Sequence, residues 1–213
     1  YTSDKSKFND IYFMDLAARK IRRVAAFKGS NLRGVQNPVG TRVAYILSLT
    51  GNPELWMADG IGAKPRRITS NNSNESGPCW SPDGKRMIVT SDSAGKPQLY
   101  EVSLKTGRLA PIPTNVSRHC SEASWNPRNP RRIAFTAAVG GGFQVVEYDF
   151  LLRRSRKLTA GPGDALQPEW ASDGRHLFFS QRIGATTRLM ILDAGSDEEA
   201  SARNPLPLVE PVR

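Results

Sequence analysis

The stretch Gly77-Pro78-Cys79-Trp80-Ser81-Pro82-Asp83-Gly84-Lys85-Arg86 decides how the rest of the chain is read. It recurs as Gln167-Pro168-Glu169-Trp170-Ala171-Ser172-Asp173-Gly174-Arg175. Between the two copies lies Ala123-Ser124-Trp125-Asn126-Pro127-Arg128-Asn129. The tryptophans stand at 80, 125 and 170, a constant spacing of 45. A weaker copy, Gln36-Asn37-Pro38-Val39-Gly40-Thr41-Arg42, lies 44 residues before Trp80 and has Gln36 in place of the Trp. Each copy has the chemistry of a tight turn. Proline presets φ near about −65° and glycine accepts positive φ. Asn129 takes the glycine position of the third copy, and asparagine tolerates the left-handed region next best. The Trp before each turn is read as packing between repeats rather than as a ligand-stacking aromatic.

The flanking residues repeat with the turn. A strand-like run follows each copy: Val43-Ala44-Tyr45-Ile46, Met87-Ile88-Val89-Thr90, Ile133-Ala134-Phe135-Thr136 and Leu177-Phe178-Phe179-Ser180. A second run comes after it: Glu54-Leu55-Trp56-Met57, Gln98-Leu99-Tyr100-Glu101, Gln144-Val145-Val146-Glu147 and Arg188-Leu189-Met190-Ile191. A basic run with an apolar-Thr ending closes the unit, as in Arg66-Arg67-Ile68-Thr69 and Arg156-Lys157-Leu158-Thr159. Four short strands, rich in β-branched and aromatic residues, at a period of 40–50 residues are the pattern of a propeller blade. The fold class is therefore all-β, a β-propeller of four-stranded blades. A partial blade occupies 1–29, and blades follow at about 30–73, 74–118, 119–163 and 164–213.

The chain starts inside a blade. Tyr1-Thr2-Ser3-Asp4 matches Val89-Thr90-Ser91-Asp92, so the first unit lacks its first strand and most of its second. The fifth unit has a weak fourth strand, because 195–213 is loop-like and carries Pro205, Pro207 and Pro211. Nothing from Asn204 to Arg213 resembles the missing strand pair. About four and a half blades are expected, as part of a longer chain and of a six-bladed propeller.

Composition agrees. Eighteen Gly and 15 Pro in 213 residues leave little room for long helices. No run approaches the ~18 apolar residues of a membrane span, and no signal-like segment opens the chain. The net charge of +10 favours anionic partners and says nothing about fold. Cys79 and Cys120 are too few to define a framework and leave a disulfide open.

The motif Pro-x-Trp-Ser-Pro-Asp-Gly-Lys, followed by an apolar strand, an aromatic-rich strand and the basic-apolar-Thr ending, resembles the TolB-type propeller repeat over residues 1 to about 195. Related repeats occur in the propellers of prolyl-oligopeptidase-like peptidases and of some polysaccharide lyases. The segment Asp10 to Val24 most favours TolB. That resemblance implies a periplasmic, non-catalytic, monomeric scaffold of the Tol-Pal cell-envelope system, without cofactor. It implies binding of a peptidoglycan-associated lipoprotein through one face. The departures are the strong positive charge, Gln36 in place of Trp, and the Arg128-Asn129 turn.

No catalytic constellation competes with this. The nucleophile elbow Gly-x-Ser-x-Gly is absent. His119 and His176 lie in different units without clustered cysteines, so no metal site is expected. His176 reads as a partly exposed strand residue, and Asp83 and Asp173 read as turn residues. Gly140-Gly141-Gly142 lies between two strands with no helix after it, so it reads as a hairpin loop rather than a phosphate cradle. Four basic clusters, around Arg19–Arg23, Lys64–Arg67, Arg128–Arg132 and Arg153–Lys157, fall mostly on outer strands. Charge there blocks edge-to-edge pairing. The alternative is a basic rim that meets an anionic surface. No nucleic acid is expected, because interleaved stacking aromatics are lacking.

In a propeller, the loop from one blade's outer strand to the next blade's inner strand lies on one face. These loops are read here as preceding each Trp. They contain Ser30, Leu32 and Arg33; Asn74, Ser76 and Gly77; His119, Ser121 and Glu122; and Asp164, Leu166 and Gln167. Each trio lies six, four and three residues before the Trp or Gln36. The resemblance places partner-contacting residues on this loop, including a histidine at the position of His119. Loops on rigid scaffolds are where function concentrates.

Overall fold

The computed structural model describes residues 1–5, 9–195 and 206–207. Its contacts fall into two compact units, Tyr1–Pro111 and Ile112–Arg213. Unit one holds three antiparallel sheets. The first is β1 (Thr2–Ser3), β2 (Asp10–Asp15) and β3 (Lys20–Ala25). The second is β4 (Asn31–Gln36), β5 (Val43–Leu47), β6 (Glu54–Ala58) and β7 (Arg66–Arg67). The third is β8 (Glu75–Trp80), β9 (Met87–Ser91), β10 (Gln98–Val102) and β11 (Leu109–Pro111). Unit two holds two more. One is β12 (Cys120–Trp125), β13 (Arg132–Val139), β14 (Gly142–Asp149) and β15 (Arg154–Lys157). The other is β16 (Asp164–Trp170), β17 (His176–Ile183), β18 (Thr186–Asp193) and β19 (Leu206–Pro207). Within each sheet the strands pair in chain order, so each sheet is a meander.

These are five blades, the first of three strands. The fourth strand of the last blade corrects the reading of the tail as loop-like. Leu206–Pro207 pairs with Ile191 and Met190. Proline is tolerated there, as at Pro111 of β11, because an edge strand has a side that needs no ladder donor. The rest of the tail lies outside the described residues.

The middle strands are apolar because both their faces are covered. Every residue of β5, β6 and β9 is buried, whereas the outer strand Arg66–Arg67 is exposed. In unit one, Ala44, Ile46, Leu55 and Met57 of the second blade pack on Trp80, Met87, Val89 and Tyr100 of the third. In unit two, Ala134 and Val145 pack on Trp170, Leu177, Phe179 and Met190. Trp80 and Trp170 sit between blades. Trp80 donates its indole N–H to the carbonyl of Val35 at 3.3 Å, and Arg42 lies over its ring at 5.3 Å. Arg132 lies over Trp170 at 5.4 Å.

The turns after the tryptophans also interlock. Asn37 Nδ2 donates to the carbonyl of Gly84, and Asn126 Nδ2 to that of Gly174, both at 2.8 Å. Gly84 and Gly174 have φ of 65° and 69°, and a Cβ at Gly84 would collide with Asn37. The turn is thus a joint between neighbouring blades. Cys79 and Cys120 are both thiols. Burial pushes the Cys120 thiol up.

Candidate partner-binding face

The structure corrects one feature of the sequence reading. The residues assigned to inter-blade loops are mostly in strands. Leu32 and Arg33 belong to β4, Ser76 and Gly77 to β8, Ser121 and Glu122 to β12, and Asp164, Leu166 and Gln167 to β16. Ser30, Asn74 and His119 sit immediately before the strands. The misreading arose because polar and small residues fill these inner strands, which then carry the composition of a loop.

The position three residues before the Trp is a bulge in every full blade. Arg33, Gly77, Glu122 and Gln167 have φ of 47°, 54°, 58° and 54°. The pairing with the second strand shifts at the same place each time, between Leu32 and Val35, Ser76 and Cys79, Ser121 and Ser124, and Leu166 and Glu169. A bulge bends its strand and re-aims a side chain. Three of the four residues are not glycine, so each holds roughly 1 kcal/mol of backbone strain.

Neighbouring blades hold the strained amides. The Arg33 N–H donates to Thr2 Oγ1 at 3.3 Å, and the Gln167 N–H donates to Thr136 Oγ1 at 3.1 Å. Thr2 and Thr136 are equivalent residues of the preceding blades. Glu122 Oε2 accepts from the same Gln167 N–H at 3.0 Å and from Thr136 Oγ1 at 2.8 Å. Glu122 therefore has a structural duty that its sequence position did not reveal.

The strand starts are fixed by the ends of the second strands. Ser30 N–H donates to Ser48 Oγ at 2.7 Å. Asn74 donates to both carboxylate oxygens of Asp92, each at 2.8 Å, and its backbone N–H holds that carboxyl below its usual range. Asp164 accepts from Phe143 N–H at 2.9 Å and from Arg182 Nη2 at 2.7 Å; the first of these does most to keep its carboxyl low. His119 packs edge-on against Phe143, 5.1 Å between centroids. Phe143 thus joins two of the candidate residues, His119 and Asp164, at the start of their blades. Arg33, Asn74, Ser76 and Gln167 are exposed, and the remaining eight candidates are partly exposed.

Beside Asp164 opens a cavity of about 240 Å³, lined by Gln144, Thr159, Gly161, Phe179, Gln181 and Met190. In unit one the equivalent place is filled. Buried Glu75 takes bonds from Thr69, Asn71 and Ser73 at 2.8, 2.9 and 3.1 Å, and burial pushes its carboxyl up. Asn71 N–H and Arg67 close on Glu54. Small residues at Gly161, Gly163 and Ala165 remove that filling in unit two. Among the described residues, no group of His, Cys, Asp and Glu is arranged to hold a metal ion, and no helix is long and apolar enough to cross a membrane.

Four-stranded antiparallel blades in chain order, joined by Trp-centred packing, define a β-propeller. The TolB beta propeller domain model matches residues 1–208, and the chain belongs to that family. It is 28% identical over 163 residues to the Tol-Pal system protein TolB of Bordetella pertussis, covering 72% of this chain and 35% of that protein. The crystal structure of TolB from Acinetobacter baumannii superposes with a TM-score of 0.78 at 24% identity, over 96% of this chain and 53% of that one. A crystal structure of puromycin hydrolase shares the fold, with a TM-score of 0.66 at 17% identity, over 93% of this chain and 32% of that one. The chain spans about a third of the length of the curated relatives it matches.

Proposed function

We propose that the chain is a non-catalytic interaction scaffold, the propeller of a periplasmic TolB-like protein of a Tol-Pal system. Its partner is a peptidoglycan-associated lipoprotein, bound by a monomer through the inner-strand starts around Ser30–Arg33, Asn74–Gly77, His119–Glu122 and Asp164–Gln167. The five blades belong to a six-bladed ring. The observation that carries this reading is the repeated bulge. At equivalent positions of four blades the backbone is bent, and the polar groups beside the bend are pinned by neighbouring strands. A pre-organised set of short polar residues on rigid strands suits a protein partner, since little ordering cost remains on binding.

Hydrogen exchange with and without the soluble domain of such a lipoprotein tests the reading. Protection at 30–33, 74–77, 119–122 and 164–167 is expected. Protection confined to the turns after the tryptophans would refute the choice of face.

The shared fold with puromycin hydrolase supports a second reading, in which the propeller gates a peptidase site that lies outside this chain. An α/β-hydrolase segment with Gly-x-Ser-x-Gly in the parent polypeptide would favour it.

A further inference from the structure

The turn from β14 to β15, Asp149-Phe150-Leu151-Leu152-Arg153-Arg154, presents two apolar side chains to water. Leu151 is 64% exposed and Leu152 69%. Other residues set the geometry of the turn. Asp149 Oδ1 accepts the N–H groups of Leu151 at 2.7 Å and Leu152 at 2.9 Å. Arg153 takes the left-handed position, with φ of 50°. Phe150 faces inward onto Trp125 and Tyr148, and its N–H donates to the carbonyl of Arg131 at 2.8 Å.

The leucines are not needed to make this turn. The equivalent turn from β10 to β11, Ser103-Leu104-Lys105-Thr106-Gly107-Arg108, has Ser103 as the cap and Gly107 at φ 73° in the place of Arg153. Lys105 and Thr106 stand where Leu151 and Leu152 do. The turn from β2 to β3 repeats the apolar version. Asp15 Oδ1 accepts from Ala18 N–H at 2.9 Å, Arg19 has φ of 52°, and Leu16 is 79% exposed.

Cations adjoin the leucines in the chain and on the next turn, where Arg128 Nε donates to the carbonyl of Ser172 at 2.9 Å. Arg153 and Arg154 are exposed in the turn itself, and Arg128 is exposed on the adjoining turn of the same blade, where Arg131 also lies. The acid of the turn, Asp149, is engaged by backbone amides. Cations alone fit any polyanion. Two leucines held in water between cations gain nothing from nucleic acid or heparin. They gain from the boundary between headgroups and acyl chains of a bilayer.

We propose that this turn docks the fourth blade on an anionic phospholipid surface. Leu151 and Leu152 enter the headgroup layer, and Arg128, Arg153 and Arg154 meet lipid phosphates. The proposal is independent of the lipoprotein reading.

Co-sedimentation of the whole chain with phosphatidylglycerol-containing vesicles, against vesicles of phosphatidylcholine alone, tests it. Binding to the anionic vesicles is expected, falling as salt rises. Leu151→Ser with Leu152→Thr, which copies Thr106, is expected to weaken it roughly tenfold with an unchanged melting temperature. Arg153→Gly with Arg154→Gln is expected to weaken it and flatten the salt dependence. Leu152→Trp keeps the tip apolar, so it retains binding and its emission shifts to the blue on vesicles. No binding to anionic vesicles would overturn the proposal. Binding that ignores the leucine changes and is competed away by heparin would also overturn it, identifying a plain polyanion surface.

Discussion

Glu122 and Gln167 occupy the same position in successive blades, and the carboxylate of the first accepts the backbone N–H of the second at 3.0 Å. A side chain of one bulge therefore secures the backbone of the next. Both residues have left-handed backbones, which neither would adopt without support.

Replacing Glu122 by alanine removes an acceptor from the Gln167 amide and from Thr136. A loss of about 1–2 kcal/mol is expected, read from urea unfolding. Gln167→Gly relieves the strain at φ 54° and is expected to change stability by no more than about 1 kcal/mol, in the stabilising direction. The opposite pattern would mean that the bulge amide is not held by Glu122.

Asn126 is fully buried in the turn after Trp125. Its Oδ1 accepts the N–H groups of Arg128 and Asn129, each at 2.9 Å, while its Nδ2 reaches Gly174. Asn126→Ala removes the side-chain partners of three backbone groups in the two turns and is expected to cost about 1–3 kcal/mol. Asn126→Asp restores the acceptor but not the donor, and is expected to recover part of the loss. Thermal melts of the two variants check the order.

Buried Arg132 is paired with Glu147, and Arg156 reaches the same carboxylate at 3.2 Å. The two arginines also donate to Gly195 and Ala194, at 3.5 and 3.0 Å. Glu147→Ala strands a buried cation and is expected to cost about 3–5 kcal/mol. Arg132→Met in the Glu147→Leu background is expected to regain most of that, since an apolar pair of similar volume needs no desolvation. Denaturant midpoints of the single and double variants decide it.

Asp173 is held at about 2, against an ordinary 3.8, by the N–H of His176, then by the His176 ring at 2.6 Å and the N–H of Arg175. The folded value is depressed, so the contribution is complete above the ordinary value and is lost as pH falls through about 2. Asp173→Asn is expected to flatten the acid dependence of stability between about pH 4 and pH 2: its loss is present at neutral pH and vanishes as the wild-type carboxyl protonates near pH 2. The group is about half exposed, so the effect is small. A carboxyl titration by NMR that gave an ordinary value would contradict the assignment.

The blade was legible because its signals are local. The Trp-turn copies and the apolar runs of β5, β9, β13 and β17 repeat about every 45 residues, and three of the five outer strands, β3, β7 and β15, are basic. The bulges were not. Gly77 hints at positive φ, but Arg33, Glu122 and Gln167 do not advertise it; the Arg33 amide is supported by Thr2, and the Gln167 amide by Thr136 and Glu122, each in the preceding blade. For the same reason the inner strands read as loops: Ser-Gly-Pro and Leu-Gln-Pro lack β propensity, and tertiary pairing overrides it. The strand at Leu206–Pro207 was hidden by its proline, which only an edge position accommodates. Leu151 and Leu152 adjoin a basic run, whose pattern marks an outer strand and carries no signal of an exposed apolar turn.

The inner-strand starts are the proposed site of a protein partner. Calorimetric titration with the soluble domain of a peptidoglycan-associated lipoprotein tests this, alongside His119→Ala and the control Lys105→Ala in the turn from β10 to β11. Micromolar binding, weakened about tenfold or more by His119→Ala and untouched by Lys105→Ala, is the predicted result. No heat at about 100 μM, or binding that His119→Ala leaves intact, would contradict it.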